Sequence, residues 1–248
     1  MQTNYSKHAT VWDWDEYDRS AEFGFWYKMG STYGKHILSA MGAIGQAGAY
    51  LAKKDCHVTV LDYTKEMIEV GRRQFSDIDS LSFIQADICD FDLKDKDYDF
   101  CFIASADLHV LPSLESVRMA LRSINKHLRI GGGLGLELWY PSDTSYSVPM
   151  KKFEPRVPRR DGSTIWKEGE SHYDAISKKQ EIHQVVYIKV GDTVENFDHF
   201  VTLHLYDRDE LFRTIQECGF RVVAEYSDYG FNKNKNQKAN CFIELSKQ

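Results

Sequence analysis

The chain has 248 residues, 42% of them hydrophobic and 27% charged, which is the balance of an ordinary globular protein able to bury a sizeable core. Its formal net charge of −6 opposes binding to a polyphosphate backbone, which would need a concentrated basic patch, so a nucleic-acid partner is not expected. Five scattered cysteines with no CxxC pair argue against a zinc ribbon, a redox dithiol or a disulfide framework, and no apolar run is long enough to span a bilayer.

The first segment, 1–34, is polar and acidic at its start, unlike a secretory leader, so a reduced, cytoplasmic protein with no membrane association is expected. It is also unusually aromatic, with Trp12, Trp14, Tyr17, Phe23, Phe25, Trp26 and Tyr27, and is read as an N-terminal helical cap. KHIL (35–38) is a short apolar run followed by the glycine-containing turn ILSAMGAIGQAG and a helix carrying Ala49, Leu51 and Ala52. HVTVLD (57–62) reads as a fully buried strand because its apolar residues are continuous rather than alternating. TKEMIEVGRRQF then opens on Thr64 as an N-cap, with Met67, Ile68 and Phe75 turned inward. LSFIQ (81–85), YDFCFIA (98–104) and GLGLELW (133–139) complete the apolar strands. Between the last two lies a helix starting at Ser113, which the glycines at 131–133 are expected to stop.

Such strand–helix alternation implies a doubly wound, mostly parallel sheet whose ligand lies beyond the carboxyl ends of the strands. From Tyr140 the pattern changes. Four of the five prolines fall between 141 and 158, and EIHQVVYIKV and ENFDHFVTLHLY flank a Gly191-Asp192 turn, a hairpin signal. The stretch 140–206 is read as an antiparallel lid inserted in one domain spanning 1–248. Asp207 and Gly219 bracket the last helix, and FRVVAEY and NCFIEL close the chain as strands. The basic residues of the insertion (Lys151, Lys152, Arg156, Arg159, Arg160) and of 233–238 (Lys233, Lys235, Lys238) read as solvated loop charge; the first group could alternatively meet a small anionic substrate.

Polar or small residues sit at the strand ends. Gly42, Gly45 and Gly48 let the backbone approach a ligand near a helix N-terminus. Asp62 ends its strand where an acid can take two ribose hydroxyls, and Asp87 in QAD stands where it could accept from an exocyclic amine. Each acid taken singly is more often an ordinary loop residue or helix cap; their order and spacing together are more specific and suit a nucleotide-like ligand.

The run HILSAMGAIGQAGAYLAKKDCHVTVLDYTKEMIEVGRRQF, with QADICDF, DFCFIASADLHVL, LRIGGGLGLEL and CGFRVVAEY, resembles the class I S-adenosylmethionine-dependent methyltransferases, above all those acting on small molecules such as amino sugars. The resemblance implies a Rossmann-like, seven-stranded methyltransferase sheet and S-adenosylmethionine as cofactor. It further implies that Asp62 holds the ribose, that Tyr63 and Met67 flank the adenine, and that Asp87 and Ile88 lie at its edge. Ser39, Gly42 and Gly45 would face the methionine part and Ser105 would also bind the cofactor, with Tyr17 and Trp26 of the N-terminal segment closing over it. The first motif departs from the family's. Ser39 stands for its acid and Met41 and Ala43 for two glycines, so Ser39 can hydrogen-bond the methionine amine but cannot ion-pair with it. His109 is the candidate general base, with a structural histidine as its other reading. Tyr140, Trp166, His172 and Tyr173 would line the acceptor pocket. No histidine spacing suggests a metal.

The expected function is therefore N- or O-methylation of a small polar acceptor by a monomer or homodimer. The alternative is a methyltransferase-like protein that has lost transfer and uses the cleft for binding or another reaction.

Overall fold

Residues 5–14, 19–94, 97–140, 148–152, 162–234 and 240–248 are described in the computed structural model. Eleven strands form among them: β1 (His36–Ala40), β2 (His57–Asp62), β3 (Leu81–Gln85), β4 (Tyr98–Ile103), β5 (Leu128–Trp139), β6 (Val148–Lys152), β7 (Thr164–Asp174), β8 (Lys179–Val190), β9 (Thr193–His204), β10 (Phe220–Tyr226) and β11 (Asn240–Lys247). The helices are α1 (Tyr5–His8), α2 (Ser20–Ser31), α3 (Gln46–Ala52), α4 (Lys65–Gln74), α5 (Leu114–His127) and α6 (Arg208–Glu217), with 3-10 turns at Ala9–Trp14 and Asp107–Val110.

The apolar runs become a seven-stranded sheet in the order β10-β11-β5-β4-β1-β2-β3. Every pairing is parallel except those of β11 with β5 and β10. Strand order reverses between β1 and β4, and the carboxyl ends on either side of that reversal are where an α/β sheet leaves a crevice. Both sheet faces are covered, as a parallel sheet requires. On one, α5 and α6 bury Val117, Leu121, Ile124, Leu211 and Ile215 against the strands. On the other, α2 and α3 bury Phe25, Trp26, Met29 and Leu51. Trp26 is fully buried and stacks on Phe102 of β4, with ring centroids 5.3 Å apart. Thus α2 is chiefly a layer of the core, with Glu22 and Phe23 of its first turn reaching the crevice beside Tyr5, Trp12 and Arg19.

The second sheet, β6-β7-β8-β9, is antiparallel and lies between β5 and α6, with the β8–β9 hairpin turning at Gly191-Asp192. It packs on the N-terminal segment through Val11, Ile165 and Val186, and His8 meets His199 at a ring separation of 4.0 Å.

Three local expectations change. The helix that the glycines at 131–133 should stop already ends at His127, and the glycines lie inside β5. A Cβ on Gly133 would come within 2.5 Å of the Tyr33 ring, so the bare backbone serves packing rather than termination. Thr64 stands at the N-cap of α4 without a side-chain cap bond; the Asp62 carboxylate accepts its N–H instead. Asp207 stands at the N-cap of α6, again without a cap bond, and pairs with Lys178. The Ser113 cap of α5 does form, accepting from the Ser116 N–H.

Candidate active site at the carboxyl edge of the sheet

Asp62 is the last residue of β2 and organises the crevice. Its Oδ1 accepts the Thr64 N–H and its Oδ2 the Ala43 N–H, each at 2.8 Å. Burial pushes its carboxyl above the usual range while these two N–H donors pull it back. A carboxylate oxygen has a second lone pair, so Asp62 keeps acceptor capacity for vicinal hydroxyls. Across from it, the turn after β1 carries Met41 (φ 53°) and Ala43 (φ 48°) in the left-handed region, each at a cost of about 1–2 kcal/mol. Glycine is obligatory at two neighbours. A Cβ at Gly42 would sit 2.8 Å from both Ser39 Oγ and Val60, and Gly45, at φ 83°, has the Phe83 ring 2.6 Å from where a Cβ would be.

Two adjoining hollows follow this edge. The larger, about 630 Å³, is lined by Asp62, Tyr63, Met67, Asp87 and Ile88 from the β2 and β3 ends, and by Tyr5 and Trp12 from the N-terminal segment. The smaller, about 40 Å³, lies over the β1 turn and is lined by Ser39, Gly42, Ser105, Arg19 and Glu22. Trp12, Met41, Ala43 and Asp107 belong to both. Of the residues expected to hold a nucleoside, Asp62, Tyr63, Met67, Asp87 and Ile88 therefore share one cavity. Ser39, Gly42 and Ser105 share the next, and Gly45, buried beneath the turn, supports it.

Arg19, Asp107 and Glu137 were not singled out from the sequence. Arg19 pairs in two-pronged fashion with Glu22, at 2.7 and 2.8 Å, and donates to Gln46 at 3.3 Å, giving the smaller hollow its cation. Glu137, near the end of β5, accepts the Ser105 N–H at 2.7 Å, and burial pushes its carboxyl up to about 7. Asp107 follows the left-handed pair Ser105 and Ala106 (both φ 56°), and its carboxyl is held well above the usual range, first by burial and then by Asp62 and Glu137. An arginine opening a helix and single acids after strands are too common in sequence to stand out. Only the fold gathers them.

Other expected residues lie elsewhere. His109 is fully buried. Its Nδ1 is bonded to the His204 carbonyl at 2.9 Å and its Nε2 accepts the Trp139 N–H at 3.0 Å, so both ring nitrogens are engaged structurally. Burial lowers its pKa to about 4. Trp26 is in the core rather than over the crevice, and Tyr17 lies outside the described residues. Tyr140 packs in the main core cluster. Trp166, His172 and Tyr173 are on β7, where Trp166 stacks on Tyr187 at 5.0 Å, and line neither hollow. Of the basic groups, the side chains of Lys151 and Lys152 and the residues Arg156, Arg159, Arg160, Lys235 and Lys238 lie outside what is described.

The family model for the methyltransferase domain matches residues 37–132, the stretch from β1 to the start of β5 that carries the turn, Asp62 and Asp87. Over that stretch the chain is similar to a methyltransferase domain. A demethylmenaquinone methyltransferase of Clavibacter sepedonicus is 30% identical over 99 residues, covering 40% of this chain and 39% of that protein, so the match spans well under half of that relative. The putative methyltransferase YqeM of Bacillus subtilis is 22% identical over 196 residues, 77% of each chain. In three dimensions the chain resembles the sugar N-methyltransferase KedS8 of Streptoalloteichus, with a TM-score of 0.77 at 15% identity over 98% of this chain and 93% of that one. At that identity the likeness concerns the fold.

The residues present fit this family's cofactor. Asp62 and Asp87 offer acceptors to a nucleoside, Gly42 leaves the backbone open to close approach, and Arg19 is placed to meet an amino-acid carboxylate. S-adenosylmethionine supplies, when bound, an electrophilic methyl carbon on a sulfonium sulfur. Tyr5 and Trp12 line the larger hollow from the N-terminal segment.

Proposed function

We propose that the protein methylates a nitrogen or oxygen of a small polar molecule, using S-adenosylmethionine. The observation that carries this reading is the continuous line of Asp87, Asp62, the β1 turn and Arg19 along one sheet edge, matching adenine, ribose and methionine in that order. The insertion bearing β6–β9 is proposed as a lid, since its contact with the N-terminal segment that lines the cavity restricts the approach to small acceptors. In-line methyl transfer needs mainly alignment in a dry pocket, which that segment and the lid would provide. Likeness to a sugar N-methyltransferase over nearly the whole chain supports a small acceptor.

The test is the melting temperature with and without S-adenosylhomocysteine. At a hundred times its Kd the ligand adds about 2.7 kcal/mol, or several degrees. No shift at millimolar ligand would refute the reading.

One observation favours a second reading, a protein that binds a nucleoside in this cleft without transferring methyl. The methionine end is only about 40 Å³, and Arg19 is held by Glu22. Equal affinities for 5′-methylthioadenosine and S-adenosylhomocysteine would select it.

A further inference from the structure

We propose that Asp107 faces the reacting centre and takes a proton from an amine acceptor, so that the molecule methylated is one that arrives as an ammonium ion. This rests on the methyltransferase reading and narrows its substrate class.

Four residues line both hollows, and Asp107 is the acid among them. A ligand lying with its nucleoside in one hollow and its amino-acid tail in the other crosses that seam at the atom joining the two, which in this cofactor is sulfur. Trp12, Met41 and Ala43 bring no formal charge to the seam, so the Asp107 carboxylate decides what polarity is welcome there. Among the described residues, no hydrogen bond or ion pair engages that carboxylate.

Its placement is maintained at a cost. Ser105 and Ala106 both adopt left-handed backbone, roughly 1–2 kcal/mol each, directly before it. The turn is held by the Glu137 carboxylate on the Ser105 N–H, and the Asp107 N–H closes onto the Ala104 carbonyl at 3.1 Å. Strain of this kind persists where surrounding structure over-determines it, and here it aims one carboxylate at the seam. Tyr5, Asp62 and Glu137 surround Asp107, and two of these are acids, which holds its proton affinity up. The cation on that side, Arg19, is already paired with Glu22.

The balance of the step is simple. An acceptor entering as R–NH₃⁺ gives one proton to the Asp107 carboxylate, leaving R–NH₂ with a free lone pair and a neutral carboxylic acid. The alcohol of the same shape has no such proton to give near neutral pH, so it makes no use of the Asp107 carboxylate as a proton acceptor. Asp107 thus selects amines over alcohols through both attraction and chemistry.

Sinefungin is the probe, because it carries a primary ammonium where the cofactor carries its methylated sulfonium, while S-adenosylhomocysteine is uncharged there. Calorimetry should give sinefungin at least a tenfold tighter Kd than S-adenosylhomocysteine in the native protein. Asp107→Asn should bring the two affinities within about threefold, and Asp107→Glu should restore part of the difference. A native preference below threefold, or a preference unchanged in Asp107→Asn, would overturn the inference while leaving the methyltransferase reading intact. Binding of neither ligand would overturn both. The native-protein comparison stands alone should the variants fail to fold.

Discussion

The Asp62 carboxylate, at the tip of β2, accepts the backbone N–H of Ala43 from the turn after β1 at a distance of 2.8 Å. One side chain thereby pins the turn and lines the larger cavity. It explains how a turn with Met41 and Ala43 in the left-handed region keeps its shape: the hydrogen bond offsets part of the left-handed strain.

If so, Ala43→Gly keeps the N–H and removes the strain. The gain, about 1–2 kcal/mol, is reduced by the greater entropy of glycine in the unfolded chain. A net stabilisation of roughly 0.5–1 kcal/mol is expected, seen in chemical denaturation as a higher midpoint at unchanged slope. A lower midpoint would show that Ala43 is not strained.

Asp62→Ala should weaken S-adenosylhomocysteine binding by about tenfold to a hundredfold, the loss of charge-assisted hydrogen bonds worth roughly 1.5–3 kcal/mol. Titration calorimetry reads it directly, and affinity within twofold of the native value would remove Asp62 from the site.

Arg19→Met separates the two ends of the ligand. S-adenosylhomocysteine, which has a carboxylate, should lose tenfold or more, while 5′-methylthioadenosine, which lacks one, should stay within twofold. Parallel losses for both ligands would mean that the Arg19–Glu22 pair only supports the fold.

His109 gives a pH signature of its own. Its pKa falls from an ordinary 6.5 to about 4, so the unfolded chain binds more protons than the folded one between those values. Its contribution is complete above about 6.5 and is lost as pH falls toward 4, on the order of 3 kcal/mol. Glu137, raised to about 7, works oppositely: the folded protein holds the extra proton, so stability falls as pH rises from 4.5 toward 7. His109→Gln, compared with the native protein by urea melts at pH 5 and pH 7, should show a smaller acid loss. An identical acid loss would deny His109 that role.

Trp26→Ala should destabilise by about 3–5 kcal/mol, because a fully buried indole stacked on Phe102 leaves a cavity. Folded variant should still bind S-adenosylhomocysteine within about threefold, since Trp26 lines neither hollow. A large affinity loss would return it to the cofactor site.

Much of this molecule is legible from local pattern. Continuous apolar runs marked β1 to β5 to within a few residues, although β5 begins at Leu128, five residues ahead of the run that suggested it. Asp62, Tyr63, Met67, Asp87 and Ile88 could be placed together because strand ends in a parallel sheet share one edge, a consequence of period and connection hand alone. His109 could not be judged that way. Its engagement depends on the His204 carbonyl and the Trp139 N–H, which are 95 and 30 residues away in the chain.

By itself, then, the order of residues determined the sheet, its crevice edge and the acids along it, because those follow from short-range periodicity and chain chirality. Tertiary structure alone decided which aromatics line the crevice, Tyr5 and Trp12 rather than Trp26, and which charges gather there, Asp107 in both hollows, Arg19 in the smaller one and Glu137 on the Ser105 N–H. Side-chain burial and electrostatic neighbours are set by contacts between segments far apart in the chain, and no local pattern encodes them.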